Sequence, residues 1–232
     1  MTLPLYLAVT GEEFSIQMLS REKLAWMACE FSQSGSGLSN LPSVLPPGSM
    51  VMISDAKPLQ QHSEDVILTQ LQALNAESVL LDFQRPYNEN LLHLAEQIVM
   101  QLDCPVGVSP PYAKNLNCPV FLPPVPLNKT PKAYFAPWDG REIWLDTALD
   151  ALEILVTTQG SRFTSLPYPT PGKPVFIDPQ LHCCYHTTVA EQKVLFTLYR
   201  TKETLGSLLA SVQKLGVTRC IGLYQELYEN SL

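Results

Sequence analysis

The sequence predicts an α/β fold: a (β/α)8 TIM-type barrel, distorted or incomplete, occupying residues 1–232 as a single domain. Three observations lead there. Short apolar runs of strand length alternate with amphipathic stretches at helical spacing, the pattern of βα units and a parallel sheet. Several of those runs end at once in Asp, which places polar groups where parallel strands leave a sheet. The chain has 232 residues, 46% of them apolar and only 16% charged, enough for one sizeable core but slightly short for eight full units. One or two helices are therefore expected to be shortened or replaced by loops.

The elements follow in order. Residues 5–10 (LYLAVT) form the first strand, closed by Gly11. Residues 20–31 (SREKLAWMACEF) start at a Ser and carry Leu24, Met27, Ala28 and Phe31 at helical spacing, which predicts a helix. Residues 33–48 are rich in Ser, Gly and Pro and read as a loop. A strand over 50–54 (MVMIS) is followed by a helix over 63–75, with Ser63 as cap and Val66, Leu68, Leu71 and Leu74 inward. Residues 78–82 make the next strand, stopped by Pro86, and 90–102 the next helix.

Strands over 104–109 and 118–122 lie too close together for a full helix between them. Further strands are expected over 142–145, 152–157 and 182–186. Residues 165–179 contain five prolines and read as a surface crossing. Residues 193–227 give a strand, a helix, a Leu-Gly-Val turn and a final strand, which should pair with 5–10 to close the ring.

Composition narrows the function. A net charge of −7 would repel a phosphate backbone, so no nucleic-acid partner is expected. No apolar run is long enough to span a bilayer, and the N-terminus lacks a basic leader; no membrane association and a cytoplasmic location are the expectation. The six cysteines sit mostly in apolar runs and read as buried thiols. His182, Cys184 and His186 would share one face of a strand, but ligands spaced by about 7 Å along a strand do not gather round an ion, so no metal is expected. Gly-rich phosphate loops, nucleophile elbows and H-E-x-x-H helices are absent, and no cofactor is expected.

The chemistry points to strand ends. Asp55, Asp82 and Asp146 each follow an apolar strand directly, which suggests an acidic mouth suited to hydroxyl-rich ligands such as an oligosaccharide. Each could equally cap the next turn. Tyr112, Trp138, Trp144 and Tyr224 lie at or near predicted strand ends, where rings stack on pyranose faces or simply fill a core.

Residues 78–86 (SVLLDFQRP) resemble the signature strand of family-18 glycoside hydrolases, D-x-x-D-x-D-x-E. The pattern falls on Glu77, Leu80, Asp82 and Gln84; only Asp82 is kept, and the proton-donating Glu is replaced by Gln84. Residues 193–227 resemble the closing unit of the same family, particularly its spore- and peptidoglycan-associated branch, with Tyr224 the nearest match to a Trp near the last strand's end. No copy of the family's Met-x-Tyr-Asp strand is found. The resemblance implies a barrel that binds N-acetylated amino sugars, in which Asp82 orients the acetamido group and Gln84 has no proton to give. Two alternatives stand beside this impaired glycan binder: an active hydrolase whose acid is Asp55, Asp146 or Glu226, and a scaffold that keeps only the fold.

Overall fold

The computed structural model describes residues 3–11, 23–60, 63–166 and 175–228. In chain order the elements are strands β1 (Leu5–Val9), β2 (Lys23–Phe31), β3 (Leu38–Ser39) and β4 (Met50–Ser54), helix α1 (Glu64–Leu74), β5 (Ser78–Asp82), α2 (Glu89–Gln101), β6 (Val106–Val108), α3 (Pro110–Ala113), β7 (Val120–Leu122), α4 (Pro131–Phe135) and β8 (Ile143–Thr147). There follow β9 (Ala151–Thr157), β10 (Gly160–Leu166), β11 (Phe176–Asp178), β12 (Cys183–Ala190), β13 (Lys193–Tyr199), α5 (Lys202–Val212), β14 (Val217–Leu223) and α6 (Tyr224–Tyr228).

Eight strands close a parallel barrel in the order β1-β2-β4-β5-β6-β7-β8-β14 and back to β1. Closure is made by β1, which pairs with β14 through Leu5 opposite Cys220 and with β2 through Tyr6 opposite Lys23. The ring is complete, and the irregularity falls on the helical layer: the four-residue α3 is all that stands between β6 and β7. That matches the close spacing of the two strands in sequence.

Residues 23–31 correct the reading of 20–31 as a helix. They form β2, hydrogen-bonded to β1 on one side and β4 on the other. A barrel strand is buried on both faces, so its apolar residues need not alternate, and Leu24, Met27, Ala28 and Phe31 fit a helical period by accident. The closing of the ring overrides local propensity. The loop over 33–48 contains the short β3, antiparallel to the end of β2. Ser63 does not cap α1 with its side chain but donates to the Gln60 carbonyl at 2.8 Å, and Val66 is exposed while Ile67 is buried.

The barrel interior is filled by Tyr6, Ala8, Ala25, Met50, Met52, Leu80, Phe121, Trp144 and Ile221, with Met27 against them. Gly107 on β6 faces the Trp144 ring, and a Cβ there would overlap it. The N-terminal ends of the strands carry a polar network. Arg219 Nη1 donates to Tyr6 Oη at 3.2 Å and to Ser78 Oγ at 2.6 Å, with its guanidinium 4.7 Å from the Trp144 ring centre. Tyr6 and Lys23 both donate to Glu77 Oε1 at 3.0 Å. Burial pushes the Glu77 carboxyl up, but the hydrogen bonds from Lys23 and Tyr6 and the nearby positive charges hold it below its usual range.

The chain clusters into two compact units. The first holds the barrel. The second contains a five-stranded antiparallel sheet in the order β10-β9-β13-β12-β11, inserted in the chain between β8 and β14. The strands read over 152–157, 182–186 and the start of 193–227 therefore belong to this sheet and not to the barrel. Its core brings together Leu127, Cys183 and Leu198, packed by Leu152, Ile154, Tyr185 and Phe196. The helix and last strand of the closing segment stand as read: α5 begins at a capping box in which Thr201 and Thr204 each bond the other's backbone N–H. Much of the proline-rich stretch over 165–179 lies outside the described residues.

All six cysteines are free, and burial pushes the Cys29 thiol up to about 12. No helix among the described residues is long and apolar enough to cross a membrane. Gly107→Ala should cost about 1–3 kcal/mol, because the added methyl must displace a fully buried indole. Thermal unfolding of the variant measures it, and an unchanged melting temperature would show that the Trp144 ring can move aside.

Candidate functional site

The site is set by how β5 ends. Leu80 lies in the barrel interior, so Asp82, two residues on, faces the same way at the C-terminal edge. Gln84 continues that face and Phe83 takes the other. Phe83 is buried outside the ring, 6.0 Å from the Phe31 ring and 5.4 Å from the Tyr112 ring. Asp82 and Gln84 line a cavity of about 410 Å³ with Met27, Met52, Ile53, Ser54, Asp55, Ala56 and Arg85.

Three hydrogen-bonded supports fix the turn. The Asp55 carboxylate, only 3% exposed, accepts the backbone N–H of Gln84 at 2.9 Å on one oxygen and that of Arg85 at 3.0 Å on the other. Ser109 Oγ accepts the Phe83 N–H at 2.9 Å and donates to the Leu81 carbonyl at 3.0 Å. The Arg85 guanidinium donates to the Ala56 carbonyl. Inside this frame Gln84 Nε2 donates to Asp82 Oδ2 at 2.9 Å. Burial raises the Asp82 pKa, the Asp55 charge raises it further, and the Gln84 amide works against both.

This arrangement can accept sugar hydroxyl or amide hydrogens on Asp82 and can hold an ether oxygen from Gln84, above an apolar floor of Met27, Met52 and Ile53. It cannot protonate a leaving group through Gln84, because an amide carries no acidic proton at neutral pH.

The structure brings together three of the residues expected from sequence: Asp55, Asp82 and Gln84. Asp55 is there as a support, both oxygens already committed to backbone. Tyr112 corrects the expectation of a sugar platform. It is 1% exposed, its hydroxyl accepts the Asn88 N–H at 3.1 Å, and its ring stacks on Tyr87 at 5.3 Å. Trp144 is likewise core. Asp146 shares the face of Trp144 on β8 but does not line the cavity with Asp82, and its charge acts on the Cys220 thiol. Tyr224 opens α6 and does not line that cavity either.

Glu226 belongs to the second unit. Its carboxylate accepts the Leu149 N–H, and burial together with the Asp150 charge raises its pKa. With Asp150, Asn128 and Phe163 it lines a separate cavity of about 450 Å³. Among the described residues no cluster fit to hold a metal ion is present.

Sequence reasoning missed Arg85, Ser109, Met27 and Met52. Ser109 carries a usable signal, a hydroxyl closing an apolar strand, like the Asp residues that were noticed. Met27 was hidden by the helical reading of its segment.

No protein-family model matches the chain, and no curated protein matches its sequence. Solved structures do resemble it. The spore cortex-lytic enzyme SleL of Bacillus cereus aligns with a TM-score of 0.60 at 9% identity, over 95% of this chain and 70% of that one. A chitinase from Chromobacterium violaceum gives 0.58 at 9%, over 95% and 93%. The C-terminal domain of a putative chitinase from Desulfitobacterium hafniense gives 0.57 at 11%, over 99% and 96%. At such identities the likeness is one of fold.

Asp55→Ala should cost about 1–3 kcal/mol, since it leaves the partly buried backbone N–H groups of Gln84 and Arg85 without their acceptor. The same variant should expose the 84–85 turn to faster amide exchange. Unchanged exchange at Gln84 and Arg85 would show that the turn holds its shape without Asp55.

Proposed function

We propose that the chain binds N-acetylated amino-sugar oligomers at the mouth of its barrel and hydrolyses them poorly or not at all. The observation that carries this reading is the Gln84–Asp82 pair at the end of β5, facing a cavity at the edge where parallel barrels build their sites. Asp82 supplies the acceptor for an acetamido N–H, and the Met27–Met52 floor suits the acetyl methyl and the apolar face of a pyranose ring. The fold shared with structures named as chitinases and a cortex-lytic enzyme supports the ligand class. Substrate-assisted hydrolysis of such sugars needs a carboxylic acid at the position of Gln84.

The rival of an active hydrolase with a substitute acid has less support. Asp55 is consumed by two backbone bonds, Asp146 does not line the cavity with Asp82, and Glu226 lines another one in the second unit.

Calorimetry with N-acetylglucosamine trimer should show binding that weakens in Asp82→Ala. It should also weaken as pH falls through the raised Asp82 pKa, since the carboxylate is the binding form. Chromogenic oligomers should be turned over by Gln84→Glu at least about 10²-fold faster than by the wild type, the low end of what a general acid contributes. Wild-type turnover at the rate of the Glu variant, or no binding of the trimer, would overturn the reading.

A further inference from the structure

We propose that β10 is a docking edge for a second copy of this chain: the β10 strands of two copies pair antiparallel about Phe163 and join their five-stranded sheets into one. The inference lies wholly in the second unit and is independent of the glycan-binding reading.

β10 is an outer strand, and among the described residues it pairs with β9 alone. Residues 160–165 are exposed and Leu166 is partly so. The outer row of backbone N–H and C=O groups is therefore open to another strand, an edge that proteins usually blunt with Lys, Pro, a bulge or a cover. The run GSRFTSL holds no Lys, Pro or carboxylate, and its register with β9 is unbroken from Gly160 opposite Thr157 to Leu166 opposite Ala151. The other edge of the sheet is unlike it. β11 offers three residues and ends at Asp178, whose carboxylate folds back to accept the N–H groups of Gln180 and Leu181 at 2.8 and 3.0 Å. A contact of β10 with β10 closes on itself as a twofold dimer, and β11 is too short to carry the pairing on into a filament.

The pattern along β10 selects a second copy as the occupant. A strand that pairs antiparallel with itself opposes only residues of the same parity, because opposed side chains share a face. Centred on Phe163, Ser161 meets Ser165, Arg162 meets Thr164 and Gly160 meets Leu166, so no like charges are opposed. Within one copy Phe163 stands opposite Ile154 and Ile154 opposite Phe196, an apolar row that ends at a Phe163 ring 54% exposed. In the pair the two Phe163 rings meet at the dyad and the row runs on into the other copy. On the opposite face Arg162 has no ion pair among the described residues, and Thr164 stands opposite Glu153. Pairing sets Arg162 of the second copy beside Thr164, two strand spacings or about 10 Å from the Glu153 backbone, within the combined reach of the two side chains. Two such contacts per dimer offset the repulsion between chains that each carry −7. A seven-residue edge spans about 24 Å, a contact at the small end of specific interfaces, so the dimer is reversible and forms at high concentration.

Sedimentation of the full chain should show a monomer–dimer equilibrium with a dissociation constant on the order of 10–100 μM. Phe163→Asp opposes two carboxylates across the dyad and should weaken it at least about tenfold. Arg162→Glu should weaken it roughly threefold, and adding Glu153→Arg to the same chain should restore it, a rescue that a loss of fold would not give. Register is read with single cysteines and a short thiol cross-linker, the wild type serving as background for the native thiols. Phe163→Cys should cross-link with itself. Ser161→Cys should cross-link with Ser165→Cys in a mixture, and neither should do so alone. A wild type that stays monomeric at about 1 mM would overturn the proposal. So would a dimer that Phe163→Asp leaves at full strength, or a Ser161→Cys chain that cross-links with itself as readily as with Ser165→Cys.

Discussion

The Asp55 carboxylate is the constraint on which the rest of the site depends. It is buried at the end of β4 and receives the backbone N–H groups of both Gln84 and Arg85. Charge-assisted bonds to both oxygens leave the chain after β5 one way to turn. That turn keeps Gln84 on the face of Asp82, sends Phe83 into the packing around Tyr112, and presents Arg85 at the rim. Remove the carboxylate and the three side chains lose their common frame, although β4 and β5 remain paired along their length from Met50 and Ser78 to Ser54 and Asp82.

The barrel divides its polar residues by end. At the N-terminal edge Tyr6, Lys23, Glu77, Ser78 and Arg219 hydrogen-bond to one another beside the Trp144 ring. At the C-terminal edge Asp82, Gln84 and Arg85 face open space. This is the division between stability and chemistry that parallel barrels impose, because side-chain layers close one end and loops leave the other open. Gly107 belongs to the first group: its missing side chain is the room that the Trp144 ring occupies.

Much of this was legible in the sequence, and the residues show why. The β4 and β5 runs were read correctly because each is a short apolar stretch cut off by Asp, and the pairing of β1 with β14 followed from the closing unit. Asp82 and Gln84 were legible as a pair because a strand fixes the facing of residues two apart. Lys23–Phe31 was not, since a strand buried on both faces lacks the alternation that separates strand from helix. The five-stranded sheet was not either. Its strands resemble barrel strands in composition, and only their antiparallel pairing, a long-range property, sets them apart. Tyr112 and Asp55 show the limit for site residues: both were found by type and position, and burial with hydrogen bonding gave both a supporting task. Arg85 was passed over because an exposed Arg after a strand carries no signal until the cavity it lines is seen.

The central claim, that Gln84 and Asp82 together meet an amino sugar, is tested most directly by the Gln84 side-chain amide itself. In protein labelled with ¹⁵N-glutamine, the Gln84 resonances are identified by their loss in Gln84→Ala and followed during titration with N-acetylglucosamine trimer. The account predicts that they shift saturably, and that Asp82→Ala abolishes the shift at the same ligand concentrations. Gln84 resonances that stay fixed while the trimer binds would contradict it.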